Sequence, residues 1–323
     1  MKIFITRLIP DKGINLLKEK GYEVVVSPHD RVLTKNELID VLQKDRYDAV
    51  LCLLTDKIDA EVLSAAGPQC KIFANYAVGF DNIDLKAVAE KGVMASNTPG
   101  VLTDSVAEHT FALLLAIAHR VAEADRFTRA GKYMGWEPML FLGESVSGKT
   151  LGIMGLGRIG SRVAYHAKRG FDMRVLYYDV KQNGEFEKEF QAEFRANPDD
   201  IFKEADFISI HVPLLDSTRH MVNKERIHMM KKTGFLVNTS RGPVIDELAL
   251  VDALKNGVIA GAALDVFEHE PELASGLREL ENVILTPHIA SATEGARQAM
   301  SETAALNIIE ALEGRTPPNL VKI

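Results

Sequence analysis

The sequence predicts an α/β protein of two doubly wound, parallel-sheet domains. Three observations carry that expectation. The chain has 323 residues, more than one ordinary core accommodates, so two domains are expected. Short apolar runs alternate with helix-like segments from end to end, the pattern of parallel strands covered by helices on both faces. The alternation also runs in two series, separated at "SNTPG" (96–100).

Taken in order, residues 2–7, 22–27, 48–54 and 70–76 read as buried strands. Between them, "DKGINLLKEKG" reads as a helix closed by Gly21, and "TKNELIDVLQKD" opens with Thr34 and Glu37 at capping-box spacing. After the break, "TDSVAEHTFALLLAIAHRVAEADRF" is apolar nearly all round, which predicts a buried helix. Ser105 and Glu108 fit a capping box at its start, and His109 and His119 read as packed or exposed helix residues rather than ligands. The second series places strands at 150–154, 173–178, 207–211, 235–239, 261–265 and 283–286. A last helix, roughly 292–313, follows that series and is expected to cross back onto the first domain. The predicted domains are therefore 1–98 plus 292–323, and 99–291.

Composition excludes several classes. The chain is 46% hydrophobic and 26% charged, as soluble globular proteins are, and no apolar run approaches the ~20 residues a membrane span needs. "MKIFITR" reads as a first strand, not a signal peptide. Cys52 and Cys70 each sit in an apolar, strand-like run. They predict neither a disulfide framework nor a zinc site, and a reducing cytoplasm is expected. A net charge of −7 argues against nucleic acid or an anionic membrane as partner. The basic cluster "RFTRAGK" (126–132) reads as a solvated helix face.

"TLGIMGLGRIGSRVAYHAKRG" (150–170) holds Gly155-x-Gly157-x-x-Gly160 between a strand and a helix. The first glycine permits a tight turn, the second lets a pyrophosphate approach the backbone, and the third lets helix and strand pack closely. The NH groups of Arg158 and Ile159 then face the anion at a helix N-terminus. The next strand ends at Asp179, roughly 20 residues past the loop, where a carboxylate accepts hydrogen bonds from the adenosine ribose and repels the extra phosphate of NADP. NAD is the expected cofactor, with Lys181 nearby as a counter-signal.

In an open parallel sheet, ligands sit outside the carboxyl ends of the strands. Strands of the second series end at His211, at Thr239 followed by Ser240 and Arg241, at Asp265 and at His288. Reducing a 2-oxo acid with a nicotinamide needs a cation for the substrate carboxylate, which arginine supplies as a two-pronged donor. It needs a proton for the developing alkoxide, which suits histidine, and a carboxylate to orient that imidazole. Arg241 and His288 supply the first two. Asp265, Glu268, Glu270 and Glu272 all remain open for the third. No cluster of ligands accompanies His288, so no metal is expected.

These stretches resemble the D-isomer-specific 2-hydroxyacid dehydrogenase family over essentially the whole chain. The matching segments are "NYAVGFDNID" (75–84), "GLGRIG" (155–160), "HVPL" (211–214), "NTSRGPVIDELAL" (238–250), "ALDVFEHEP" (263–271) and "LTPHIASAT" (285–293). The resemblance implies a central Rossmann dinucleotide-binding domain and a discontinuous flavodoxin-like substrate domain. It gives Arg241 the substrate-orienting role, His288 the catalytic one and Glu270 the pairing with that histidine. It assigns the NH groups of Val78 and Gly79 to the substrate carboxylate, and Asp265 to the nicotinamide carboxamide. Further cofactor contacts are implied at Thr103, His211, Val212, Pro213, Thr218, Thr239, Ser240 and Ser291, with His288 beside the nicotinamide.

Within the family, "GVLTDSVAE" (100–108) and "WEPMLFLG" (136–143) are similar to the branch that reduces glyoxylate and hydroxypyruvate. In that branch the tryptophan, here Trp136, reaches the neighbouring subunit's substrate site, so a homodimer is implied. Where relatives acting on a phosphorylated substrate carry an arginine-serine pair, this chain has Leu53 and Leu54, so an unphosphorylated substrate is expected. Glutamate rather than glutamine at position 270 argues against formate oxidation. The expected activity is NADH-dependent reduction of hydroxypyruvate to D-glycerate, and of glyoxylate, in a cleft between the domains. The rivals are a D-lactate-type dehydrogenase and a dinucleotide-sensing protein of the co-repressor kind.

Overall fold

A computed structural model describes residues 1–322. The chain divides into two compact units, Met1–Leu102 joined by the chain from Ala292 on, and Thr103–Ser291. In chain order the first unit holds β1 (Lys2–Ile5), α1 (Asp11–Glu19), β2 (Glu23–Val26), α2 (Lys35–Lys44), β3 (Ala49–Cys52), α3 (Ala60–Ala65), β4 (Ile72–Asn75), α4 (Leu85–Lys91) and β5 (Met94–Ser96). The second holds α5 (Thr103–Ala118), α6 (Val121–Arg129), β6 (Thr150–Met154), α7 (Arg158–Phe171), β7 (Arg174–Tyr178), α8 (Gly184–Phe190) and β8 (Glu193–Phe194). It continues through α9 (Pro198–Glu204), β9 (Phe207–Ile210), α10 (Lys224–Met229), β10 (Phe235–Asn238), α11 (Glu247–Lys255), β11 (Gly261–Leu264) and β12 (Val283–Leu285). Finally α12 (Glu294–Leu312) packs on α1, β3, β4 and β5 of the first unit.

Both sheets are wholly parallel. Their orders are β2-β1-β3-β4-β5 and β12-β11-β10-β9-β6-β7-β8, a flavodoxin-like sheet and a Rossmann sheet with one added strand. In the second sheet the strand order reverses between β6 and β9, which opens a crevice at their carboxyl ends. Strand alternation explains the two layers of helix around it. Ile153, Val175, Tyr177, Phe207 and Val237 join one core, shared with Phe111 and Leu114 of α5. Their neighbours Met154, Leu176, Ile208 and Leu236 join the core on the other face.

Thr34 and Glu37 form the expected capping box, and Gly21 closes α1 with φ 80. Two short strands escape the sequence reading. β5 is three residues ending in Ser96, and β8 is two residues among charges. One expectation at α5 is overturned. The helix already begins at Thr103, so Ser105 lies inside it and is buried. Its hydroxyl donates to Ala290 O at 2.9 Å instead of capping the helix. β9, β10, β11 and β12 each stop one residue short of the predicted bounds, so His211, Thr239, Asp265 and Thr286 stand just beyond the ladder, and His288 lies three residues past β12 rather than at its end.

Candidate active site

The glycine loop follows β6 at the switch point. Gly155 has φ 96, and a Cβ there would lie 2.9 Å from the backbone of His211 and Val212. A Cβ on Gly160 would stand 2.0 Å from Gly155 O, whereas one on Gly157 meets nothing within 4 Å. The first and third glycines thus serve packing, and the second borders open space. Gly157 is the N-cap of α7 and supplies no capping side chain, so the first-turn NH groups of Arg158 and Ile159 remain for an anion. Leu156 N donates to Asp179 Oδ2 at 2.7 Å, which fixes the carboxylate against the loop and leaves Oδ1 for a ligand. An open anion cradle with an acid beside it fits a dinucleotide.

His211 directly follows β9, and its backbone borders this loop. Its Nε2 is 2.8 Å from Ser209 Oγ. Part of the residue is accessible, yet desolvation pushes the imidazole down to about 3, so it is neutral. Val212 and Thr218 are buried, and Pro213 is exposed. Thr218 accepts from Leu215 N at 2.8 Å and donates to Pro213 O at 2.7 Å, so its hydroxyl holds its own loop.

β10 ends in Asn238, fully buried. Its amide donates to Arg241 O at 2.9 Å, and its oxygen accepts from Ser240 N and Oγ at 3.0 and 2.9 Å. The loop carrying Arg241 is therefore shaped by a buried amide. Thr239 Oγ1 is 2.8 Å from Thr110 Oγ1. Thr110 donates its proton to Val106 O, so Thr239 is the donor to Thr110. Gly242 lets this loop touch the next one, since a Cβ there would stand 1.9 Å from Phe267 C.

The four open carboxylates separate in space. Glu268 pairs with His220, Oε1 to Nε2 at 2.6 Å. Asp265 is fully buried and faces its own turn. Its Oδ1 accepts from Thr286 Oγ1 at 2.6 Å and Ile289 N at 2.8 Å, and its Oδ2 from Ala290 N at 2.8 Å. Burial alone would raise its pKa, but these bonds and His109, 3.4 Å away, lower it. Glu272 is exposed. Glu270 Oε2 meets His288 Nδ1 at 2.9 Å, and its Oε1 accepts from Phe267 N at 3.0 Å. Desolvation works against the Glu270 carboxylate, and the bond to His288, the NH of Phe267 and the charge of Arg241 outweigh it, so its pKa is lowered. Glu270, His288 and Arg241 are thus one electrostatic group, and His288 Nε2 makes no hydrogen bond among the described residues.

In the first unit, Asn75 ends β4 as Asn238 ends β10. Its amide donates to Gly79 O at 2.9 Å, and Asn97 donates to Val78 O at 2.7 Å. With both carbonyls tied down, the NH groups of Val78 and Gly79 have no hydrogen-bond partner among the described residues. Two adjacent free NH groups suit an anion. Asn82 extends the network to Leu53 O and Asp56 O, beside half-buried Leu54.

Thr103 begins α5, and Ser291 ends the second unit; both are half-buried. Trp136 is 83% exposed, in a stretch where Tyr133, Met134, Met139 and Leu142 are exposed too. Asn75, Asn82, Asn238 and His109 were missed as site residues. A buried amide closing an apolar strand is the signal that could have found the first and third. Among the described residues, no group of three or more His, Cys, Asp or Glu could hold a metal, and no helix is long and apolar enough to cross a membrane.

Comparison with known proteins matches residues 111–290 to the family model for the NAD-binding domain of D-isomer-specific 2-hydroxyacid dehydrogenases. A glyoxylate reductase of Thermococcus kodakarensis is 49% identical over 99% of this chain and 96% of its own. A solved structure of a Thermus thermophilus protein superposes with a TM-score of 0.93 at 40% identity, covering all of both chains. An NADPH-dependent glyoxylate/hydroxypyruvate reductase of Sinorhizobium meliloti, solved with NADP and malonate, gives 0.86 at 29% identity over 99% of this chain and 96% of that one. The chain therefore belongs to the D-isomer-specific 2-hydroxyacid dehydrogenase family and carries that family's NAD-binding domain.

Proposed function

We propose that the protein is an NADH-dependent reductase of small, unphosphorylated 2-oxo acids, taking glyoxylate to glycolate and hydroxypyruvate to D-glycerate. The observation that carries the reading is the 2.9 Å His288–Glu270 pair with the charge of Arg241 acting on it. The chemistry supplied by a nicotinamide bound at the glycine cradle is a hydride for the substrate C2. His288, protonated and oriented through Nδ1 by Glu270, holds at Nε2 the proton that the resulting alkoxide needs. Arg241 neutralises the substrate carboxylate and polarises the ketone. Val78 and Gly79 are proposed as further donors to that carboxylate, on the strength of their free NH groups.

Asp179 supports NADH over NADPH, and Lys181 is the counterweight. Leu53 and Leu54 offer no charge to a phosphate. The glyoxylate reductase activity of the Thermococcus relative supports glyoxylate beside hydroxypyruvate. A homodimer is part of the proposal, supported by the exposed apolar stretch around Trp136.

The test is an NADH-oxidation panel over glyoxylate, hydroxypyruvate and pyruvate, repeated with NADPH. Turnover of the first two with NADH, at least about tenfold more efficient than with pyruvate, is expected; that margin is near the reach of a small pocket. A preference for pyruvate would make it a D-lactate-type enzyme, and no turnover with any 2-oxo acid would overturn the assignment.

A further inference from the structure

We propose that α5 is a two-point clamp on the turn bearing His288, with Ser105 and His109 as positioning residues for proton delivery; this rests on the reading of His288 as the acid. His288 has φ 54, a left-handed conformation that a residue with a side chain keeps only where its surroundings enforce it. Within the turn, His288 N donates to Asp265 O and Thr286 O at 2.9 and 3.0 Å. Ile289 N and Ala290 N close on the Asp265 carboxylate. These bonds shape the turn but do not tether it to anything beyond the two strand ends that bear it.

The tether comes from α5. Ser105 Oγ donates to Ala290 O at 2.9 Å, past His288 in the chain. His109 Nε2 lies 3.2 Å from Thr286 Oγ1, before His288, and 3.4 Å from Asp265 Oδ1. Thr286 has given its hydroxyl proton to Asp265, so it accepts from His109, and Nε2 of His109 carries a hydrogen. Ser105 and His109 are four residues apart, hence on one face of the helix. The helix is itself held fast, with Val106, Phe111, Leu113, Leu114 and Ile117 buried and neighbours in α7, β10 and β11. The turn is thus pinned on both sides of His288 to a rigid element, so the backbone that carries the imidazole cannot shift without breaking a contact to α5, while Glu270 orients the ring itself.

The test places His109→Ala, His109→Gln and Ser105→Ala in the native protein and in His288→Gln. In the native background His109→Ala should lower kcat for glyoxylate by about 10–100-fold, the order expected when a reacting group is misplaced. KM, and NADH binding read by fluorescence, should change less than about threefold, since only the transition-state contact is lost. His109→Gln keeps an N–H donor and should restore most of the rate. Ser105→Ala, which removes one oxygen, should lower kcat by roughly fivefold, with a larger solvent isotope effect as proton transfer becomes limiting. In the His288→Gln background each change should cost less than about twofold, because residues that act as one unit are not additive. Equal losses in both backgrounds, or native kcat in His109→Ala and Ser105→Ala beside a crippled His288→Gln, would overturn the clamp alone. Native turnover in His288→Gln would overturn the acid reading and the clamp together.

Discussion

Arg241 is held by its backbone before its guanidinium does anything, through the buried Asn238 amide on its carbonyl. Arg241→Ala should therefore lower kcat/KM for glyoxylate by about 10²–10⁴ while the fold persists, the range for losing a charge-assisted transition-state contact. Steady-state kinetics beside a thermal melt check this. Asp179→Ser should narrow the preference for NADH over NADPH by about tenfold or more, since the carboxylate no longer repels a 2′-phosphate; an unchanged ratio of efficiencies would contradict it. His211 makes a pH prediction. Its folded pKa, about 3, lies below the ordinary histidine value, so between the two the unfolded chain binds the extra proton. Stability then rises with pH across that window and is lost as pH falls from about 6.5 towards 3. The urea midpoint should drop on acidification from pH 7 to 5, and His211→Asn should flatten that drop. Arg241 and His288 were legible in the sequence because polar residues ending apolar strands stand out. Glu270 was not separable from Asp265, Glu268 and Glu272 by spacing, because loop geometry decides which carboxylate reaches the imidazole. His109 was read as a bland helix residue because its partners, Thr286 and Asp265, are far away in the chain.

At the scale of elements, local rules were read correctly where the partners are local. The Thr34–Glu37 box and the Gly21 closure of α1 need no tertiary information. Ser105 satisfied the same spacing rule and obeyed a tertiary one, because a bond to Ala290 O is available only after the second sheet has formed. β5 and β8 were illegible for a different reason. Strands of three and two residues have no periodicity of their own and exist because a neighbour offers a ladder. The glycine loop gives this scale its test. Gly160→Ala would place a carbon 2.0 Å from Gly155 O, so the α7 N-terminus must move off the strand. An overpacking cost of this kind should lower the melting temperature by roughly 2–10 °C, and NADH affinity should weaken with it. A fluorescence titration showing native affinity would mean that the close approach is not what builds the cradle.

For the whole molecule, two parallel sheets and the return of the last helix to the first unit were legible because strand and helix periods persist along the chain. Assembly and substrate rank were not. As proposed, they turn on a few loop residues, such as exposed Trp136 and half-buried Leu54, whose types are equally at home in a bland surface. Sedimentation should give about twice the 35.6 kDa of the chain, and replacing Trp136, Met134 and Met139 together by serine should shift it towards the monomer, as removal of an exposed apolar patch would. The 2-oxo acid reductase reading rests most heavily on one imidazole. The direct measurement is kcat/KM of His288→Gln against glyoxylate at saturating NADH, with NADH binding shown to be intact. A loss of about 10²–10⁴ is expected for a missing general acid, and a near-native value would contradict it.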